Sequence, residues 1–341
     1  MIATTPADIL RFARARIDEG LATAIVTLAG IEGSSPRAIG AQMAVSADGR
    51  HLGSFSGGCI EAAVIAETVD ALASGQPRLV RFGAGSPYID IRLPCGGGID
   101  LLFSPLPDRS AIAGTLSQHE RREPAALRLS IDGVRRDLGD NPATTGWRGD
   151  EFVVAYQPAL RLIAVGEGEE LTALARLAAV YGADIRAISP DHHRLAALGA
   201  EGVDTLALHS RTRPPPLDSD AWTAILFLFH DRDWEEYLLP DALDMPAFYV
   251  GAIGSQRTQR QRIDALEAAG VPSGSRHRLR TAVGLIPATR DPATLALSAL
   301  AQIVEEYQLI GLGRPPTRAA QFETAGPMSR RAGDSRRHRP D

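Results

Sequence analysis

The chain has 341 residues, with 36 lysines and arginines against 41 aspartates and glutamates and a formal net charge of −5 at pH 7. At 44% hydrophobic and 23% charged residues it has the make-up of a soluble globular protein of about two domains. The acidic balance argues against nucleic-acid binding, no run reaches the ~18 apolar residues of a membrane span, and two cysteines are too few for a secreted disulfide framework.

The N-terminal segment lacks the basic start and apolar run of a secretory signal, so a cytoplasmic protein with reduced thiols is expected. Pro6 at an early helical position and the stripe Ile9, Leu10, Ala13 and Ile17 predict a helix over 6–19. "ATAIVTLAGIEG" reads as a strand ending in a turn, and "AQMAVSADGRHLGSF" as a hairpin turning at Asp48-Gly49. An alanine-rich helix over 60–74 closes on Gly75. "RLVRFG" and "GIDLLFSPL" follow as strands, then a helix over 110–121. Short strands fill 125–157, with turns at Asp132-Gly133 and Asn141-Pro142.

The second half has a regular beat. Residues 160–189 read as strand, glycine turn, helix and strand, the helix carrying Leu171, Leu174, Ala175, Ala178 and Tyr181 on one face. "AWTAILFLF" (221–229), after the proline-stiffened loop 210–220, and "AFYVGAIG" (247–254) are further buried strands, with helices expected over 233–239, 256–269 and 292–309. Alternating strands and helices predict a parallel sheet covered on both faces. The expected fold class is α/β: an N-terminal mixed α+β domain (1–157) with both cysteines, a Rossmann-like parallel-sheet domain (158–312) and a disordered basic tail (313–341).

Gly166 and Gly168 begin a dinucleotide fingerprint at the right strand-to-helix junction. The rest departs from it. Glu167, Glu169 and Glu170 would repel a pyrophosphate, Leu171 stands where a small residue belongs, and the ribose-binding acid is replaced by Ser189, with Asp191 two residues late. This argues against NAD(P). "GAIGSQRTQRQR" (251–262) offers a better anion site: Gly254, Ser255 as N-cap, and Arg257, Arg260 and Arg262 in the first turns of a helix. His230 and Asp231 leave a strand at the same sheet edge, where they either contact a ligand or cap the next helix. His192-His193 reads as an exposed pair.

Three glycine-rich stretches mark the first half. In "GIEGSSPRAIGAQMAV", Ser34, Ser35 and Arg37 between two glycines make an oxyanion cradle. "GSFSGGCIEAAV" sets Cys59 after Ser56, Gly57 and Gly58 at the mouth of a helix, where a thiol gains thiolate character. "LPCGGGID" sets Cys95 against Gly96 and Gly97. Two readings of the cysteines stand open here: soft ligands or sulfur carriers, and small buried hydrophobes.

In this order the three stretches resemble the XdhC/CoxI family, the xanthine dehydrogenase accessory factors, and the resemblance runs on over about residues 6–310 through "RLIAVGEGEELTALARLAAVYGADIRAIS", "FHDRDWE" and "YVGAIGSQRT". It implies a non-catalytic chaperone that binds molybdenum cofactor, as molybdopterin or its cytosine dinucleotide form. Such a chaperone holds the cofactor during sulfuration and delivers it to a xanthine dehydrogenase-type molybdenum hydroxylase. Implied partners are that enzyme's large subunit and a cysteine desulfurase, with a homodimer expected and no nucleic acid or membrane. Cys59 and Cys95 would contact molybdenum or carry persulfide, and the cofactor would lie between the domains. Two rivals remain: a sulfurtransferase working through a cysteine persulfide, and an NAD(P)-dependent oxidoreductase.

Overall fold

A computed structural model describes residues 4–86, 96–139, 144–230, 233–287 and 289–311. The first half runs α1 (Pro6–Asp18), β1 (Thr23–Glu32), β2 (Gln42–Ser46), β3 (His51–Gly53), α2 (Glu61–Ser74), β4 (Arg78–Gly83), β5 (Gly98–Pro105) and α3 (Arg109–Glu120). It ends with β6 (Ala125–Ser130), β7 (Gly133–Arg136), β8 (Gly146–Arg148) and β9 (Glu151–Tyr156). The second half runs β10 (Arg161–Gly166), α4 (Gly168–Tyr181), β11 (Asp184–Ser189), α5 (His192–Ala200), β12 (Asp204–Ala207), β13 (Thr223–Leu228) and α6 (Glu235–Asp244). Then come β14 (Tyr249–Ala252), α7 (Gln256–Ala268), α8 (Ser273–Arg276), β15 (Leu279–Arg280) and α9 (Pro292–Gly311).

Local chemistry starts and stops these elements. Thr5 and Asp8 form a reciprocal capping box on α1 with Pro6 at its first turn. Gly75, left-handed at φ 66°, ends α2. β1 alternates: Ile25 packs with α1 and α3, whereas Val26 and Leu28 pack with α2. Each such side chain contributes about 1.5–3 kcal/mol of burial. The antiparallel sheet β3-β2-β1-β5-β4 is thereby covered on both faces, α2 on one, and α1, α3 and the four-stranded sheet β7-β6-β9-β8 on the other. Tyr156 Oη donates to Gln42 Oε1 (2.7 Å) and Gln42 Nε2 to Thr27 Oγ1 (3.1 Å), a buried polar chain linking the two sheets.

The second sheet is parallel, in the order β12-β11-β10-β13-β14-β15. Renumbered within the domain this is 3-2-1-4-5-6, the doubly wound dinucleotide-fold order. β13 is buried along its whole length, as a central strand sealed on both faces must be. One core lies against α4, α5 and α9, the other against α6 and α7. The expected mixed α+β half and Rossmann-like half are both present.

Two expectations need correction. The helix predicted to end before Pro240 runs on to Asp244, because Leu238, Leu239, Ala242 and Leu243 are buried on both sides of the proline. Tyr181 is exposed: it is the last residue of α4, before the left-handed Gly182. Beyond the elements read from the sequence, α5 leads to β12, which extends the sheet past β11, and β15 forms its other edge. The Asn141-Pro142 turn and the tail from 313 lie outside the described residues.

Arg122, after α3, pairs with Asp184 and Asp220. Tyr307 of α9 donates its hydroxyl to Pro158 O (2.6 Å), and its carbonyl accepts from Gln157 Nε2 (3.1 Å). Asp184 opens β11 and Asp220 precedes β13, so Arg122 grips the amino edge of the parallel sheet.

Candidate functional site

The three glycine stretches meet at one end of the first sheet. Gly97 lies so close to the first stretch that a Cβ there would stand 2.8 Å from Glu32 O and 2.4 Å from Ser34 O. Only glycine permits that approach. Arg37 Nε donates to Ser54 O (3.1 Å), joining the first stretch to the second. Beneath them Arg81 pairs bidentately with Asp100 (2.8 and 2.9 Å) and also with Glu32, fixing the ends of β1, β4 and β5 relative to one another. Nothing in the sequence singled out Arg81.

Residues 54–60 form a loop with two apolar feet. Phe55 and Ile60 are each 1% exposed and sit in the core under α2, while Gly57, Gly58 and Cys59 are exposed at the apex. Gly57 and Gly58 hold φ of 77° and 128°, a conformation side chains resist. The centre of the loop is the carboxylate of Glu61, the first residue of α2. Its Oε1 accepts from Ser54 Oγ (2.8 Å), Phe55 N (3.0 Å) and Ser56 N (2.8 Å). Its Oε2 accepts from Ser56 Oγ (2.7 Å), Gly58 N (2.8 Å) and Ile60 N (3.2 Å). The remaining amides go to serines: Gly57 N to Ser54 Oγ (3.0 Å) and Cys59 N to Ser56 Oγ (2.9 Å). Burial alone would raise the Glu61 pKa; the hydrogen bonds from Ser56 and Ser54 outweigh it and hold the carboxyl well below the usual range.

Ser56, Gly57 and Gly58, read as cofactor contacts, therefore spend their donors inside the loop. Cys59 is a free, exposed thiol, two residues ahead of the first helical residue, and the reading of it as a buried hydrophobe fails. Ser35 Oγ donates to Arg37 O (2.9 Å) and accepts from Arg37 N (3.2 Å), closing its own turn. Ser34 and Arg37 are exposed on that turn, and Gly96 is exposed at φ 69°. Cys95 lies outside the described residues.

At the carboxyl edge of the parallel sheet, Gly166 ends β10 against β13. A Cβ there would fall 2.7 Å from Leu228 Cβ and 2.8 Å from its carbonyl carbon. Gly168 is left-handed at φ 83°, and Glu170 folds back so that its Oε2 lies 2.7 Å from where a Gly168 Cβ would be. His230, leaving β13, brings Nε2 to 3.6 Å from Glu170 Oε1. A carboxylate thus covers the turn that holds a pyrophosphate in dinucleotide enzymes. Asp231 lies outside the described residues.

Ser255 is the N-cap of α7, accepting from Thr258 N (3.2 Å), and Gly254 and Arg257 are exposed beside it. Arg262, read with the anion-binding arginines, faces inward instead. It is 3% exposed and forks onto Glu235 (2.7 and 2.8 Å) while also bonding Gln259 Oε1 (2.5 Å) and Ile253 O (3.0 Å). His192 and His193 are exposed, and no group of three or more metal-binding side chains occurs among the described residues.

With this geometry in place the comparisons are specific. Residues 16–83, which hold the Gly33–Gly40 stretch and the Cys59 loop, match the XdhC and CoxI family, and residues 162–303 match the XdhC Rossmann domain. A protein of Escherichia coli (strain K12), the molybdenum cofactor insertion chaperone PaoD, is 36% identical over 295 residues, covering 86% of each chain. The chain belongs to the XdhC and CoxI family. Another relative from the same organism, the uncharacterised YqeB, is 25% identical over 281 residues, 80% of this chain and 41% of that one. A crystal structure titled as a xanthine dehydrogenase from Bacillus halodurans superposes with a TM-score of 0.67 at 20% identity, covering 87% of this chain and 94% of that chain. That likeness places the XdhC fold and nothing finer. Among the described residues no helix of this XdhC-family chain is long and apolar enough to cross a membrane.

Proposed function

We propose that this chain is a molybdenum cofactor insertion chaperone: it takes the cofactor as cargo, holds it while a terminal sulfur ligand is installed, and passes it to the large subunit of a molybdenum hydroxylase. The observation that carries the reading is the exposed Cys59 thiol on a loop whose donors are bonded to Glu61 and to its own serines, within the segment matched to the family and in a chain 36% identical to PaoD. A thiol is a soft ligand suited to a molybdenum–sulfur centre. Ser34, Ser35, Arg37, Gly96 and Gly97 border the same end of the sheet, and Cys95 would join them as a second thiol. Gly254, Ser255 and Arg257, on the parallel sheet's carboxyl edge, would take an anionic group of the cargo.

Glu170 over the Gly168 turn favours cargo handling over nicotinamide chemistry. The partners in this reading are the hydroxylase, a cysteine desulfurase that supplies the sulfur, and a second copy of the chain. The test is transfer. Protein loaded in a cofactor-producing host is mixed with cofactor-free hydroxylase, and hydroxylase activity is followed. Activity that appears in proportion to loaded chaperone supports the proposal; no transfer from a demonstrably loaded protein contradicts it.

A further inference from the structure

Every backbone amide from Phe55 to Ile60 has an acceptor within 3.2 Å, and each acceptor belongs to the loop itself or to Glu61. Both serine hydroxyls donate to the same carboxylate. Consecutive amides in a glycine-rich turn usually gather around a bound anion. Here the anion is covalently part of the chain. With three donors on each oxygen, Glu61 is saturated, and ordering the loop requires no ligand.

We infer that Glu61 is the positioning residue of the Cys59 loop: it turns the loop's N–H and O–H donors inward, so the loop meets its cargo through the thiol, at a metal or sulfur atom, and not as an amide cradle for phosphate. The inference rests on the chaperone reading for the identity of the cargo, but the loop's construction stands apart from it. Ser56 is the relay. Its Oγ donates to Glu61 and accepts from Cys59 N and Ile60 N (2.9 and 3.1 Å), so the backbone of Cys59 is tied to the carboxylate through one hydroxyl. Phosphate would have to displace a carboxylate held at the high effective concentration of its own helix, and the loop has no spare amide to offer it. The cargo's phosphate is then recognised elsewhere, by residues other than 54–60.

Glu61→Gln is the informative change. A carboxamide supplies one acceptor oxygen and turns an NH2 toward donors, which opens half the loop while keeping the side chain's size. Glu61→Asp keeps the charge, and Ser56→Ala cuts only the relay and keeps the test decisive if Glu61→Gln fails to fold. All three are made with Cys95→Ser, so that iodoacetamide reports on Cys59. The expected results for Glu61→Gln are a folded protein, amides 55–60 exchanging about tenfold faster or more, and a changed pH profile of Cys59 alkylation. Glu61→Asp partly restores the wild-type values, and Ser56→Ala shows a smaller effect of the same sign. Inorganic phosphate leaves amide resonances 55–60 of the wild type unmoved.

In the Cys95-containing background, molybdenum retained by Glu61→Gln falls by about tenfold. Unchanged exchange and alkylation in Glu61→Gln, or phosphate shifting those amides, overturns the inference. So does wild-type molybdenum retention by an opened loop. A wild-type protein that never carries molybdenum overturns the chaperone reading instead, while exchange and alkylation still decide the role of Glu61.

Discussion

Arg37 Nε donates to the carbonyl of Ser54 at 3.1 Å, spanning 17 residues of sequence to tie the first glycine stretch to the root of the Cys59 loop. Both partners lie near the surface, so the bond adds under about 1 kcal/mol to global stability. Its larger effect is on the relative placement of the two loops. Arg37→Ala is expected to leave the urea midpoint nearly unchanged and to lower molybdenum retention several-fold, measured by metal analysis of purified protein. A large drop in midpoint without loss of metal would contradict that division.

Glu61 predicts a pH dependence with a definite sign. Its carboxyl is held well below the ordinary range in the folded protein. A depressed carboxylate contributes stability above its unfolded pKa, about 4.3, and loses it as pH falls toward the folded value. The stability difference between wild type and Glu61→Gln is therefore full at neutral pH and shrinks below about pH 4–5. Thermal melts of both proteins from pH 7 to pH 3 check it; a gap that widens on acidification would be the wrong sign.

Arg262 and Glu235 are each 3% exposed and doubly bonded. Replacing Glu235 with Gln leaves a buried guanidinium without its counter-charge, at a cost of about 3–5 kcal/mol. Replacing both partners with apolar residues of similar volume is expected to restore most of the loss. Urea denaturation of Glu235→Gln and of the double variant gives the comparison; a mild single substitution would mean that Gln259 and Ile253 O satisfy Arg262 on their own.

Gly166 has no room for a methyl group against Leu228. Gly166→Ala should destabilise the second half by about 2 kcal/mol by forcing β10 and β13 apart. The same turn, covered by Glu170, is expected to show no saturable NADH binding up to about 1 mM by fluorescence titration. Tight binding would reopen the oxidoreductase reading.

Much of the architecture was legible because it is written locally. Asp48-Gly49 marks a hairpin, Gly75 a helix end, and alternating buried runs a parallel sheet. The inward clamp of the Cys59 loop was not. Glycines and serines before a helix look the same whether they wait for a ligand or wrap the helix's own first acid. The available signal was Glu61 itself, an acid where a helix N-terminus attracts one. The inward turn of Arg262 is hidden for a related reason: its charge is visible in the sequence, but its partner is 27 residues away. The helix expected over 233–239 continues through Pro240 to Asp244 because Leu238, Leu239 and Leu243 are buried on both sides of the proline. The stripe on α4 was followed one residue too far, to Tyr181 at the helix end, where no neighbour covers the ring enough to bury it.

Contact between Cys59 and a molybdenum cargo is open to direct measurement. Wild type, Cys59→Ser and Cys95→Ser are purified from a host that makes the cofactor, and molybdenum and pterin are quantified per chain. Molybdenum and pterin are expected in near-equal amounts in the wild type, with a loss of about tenfold or more in Cys59→Ser and the fold intact. Equal loading of Cys59→Ser and wild type, or a wild type free of both molybdenum and pterin, would contradict it.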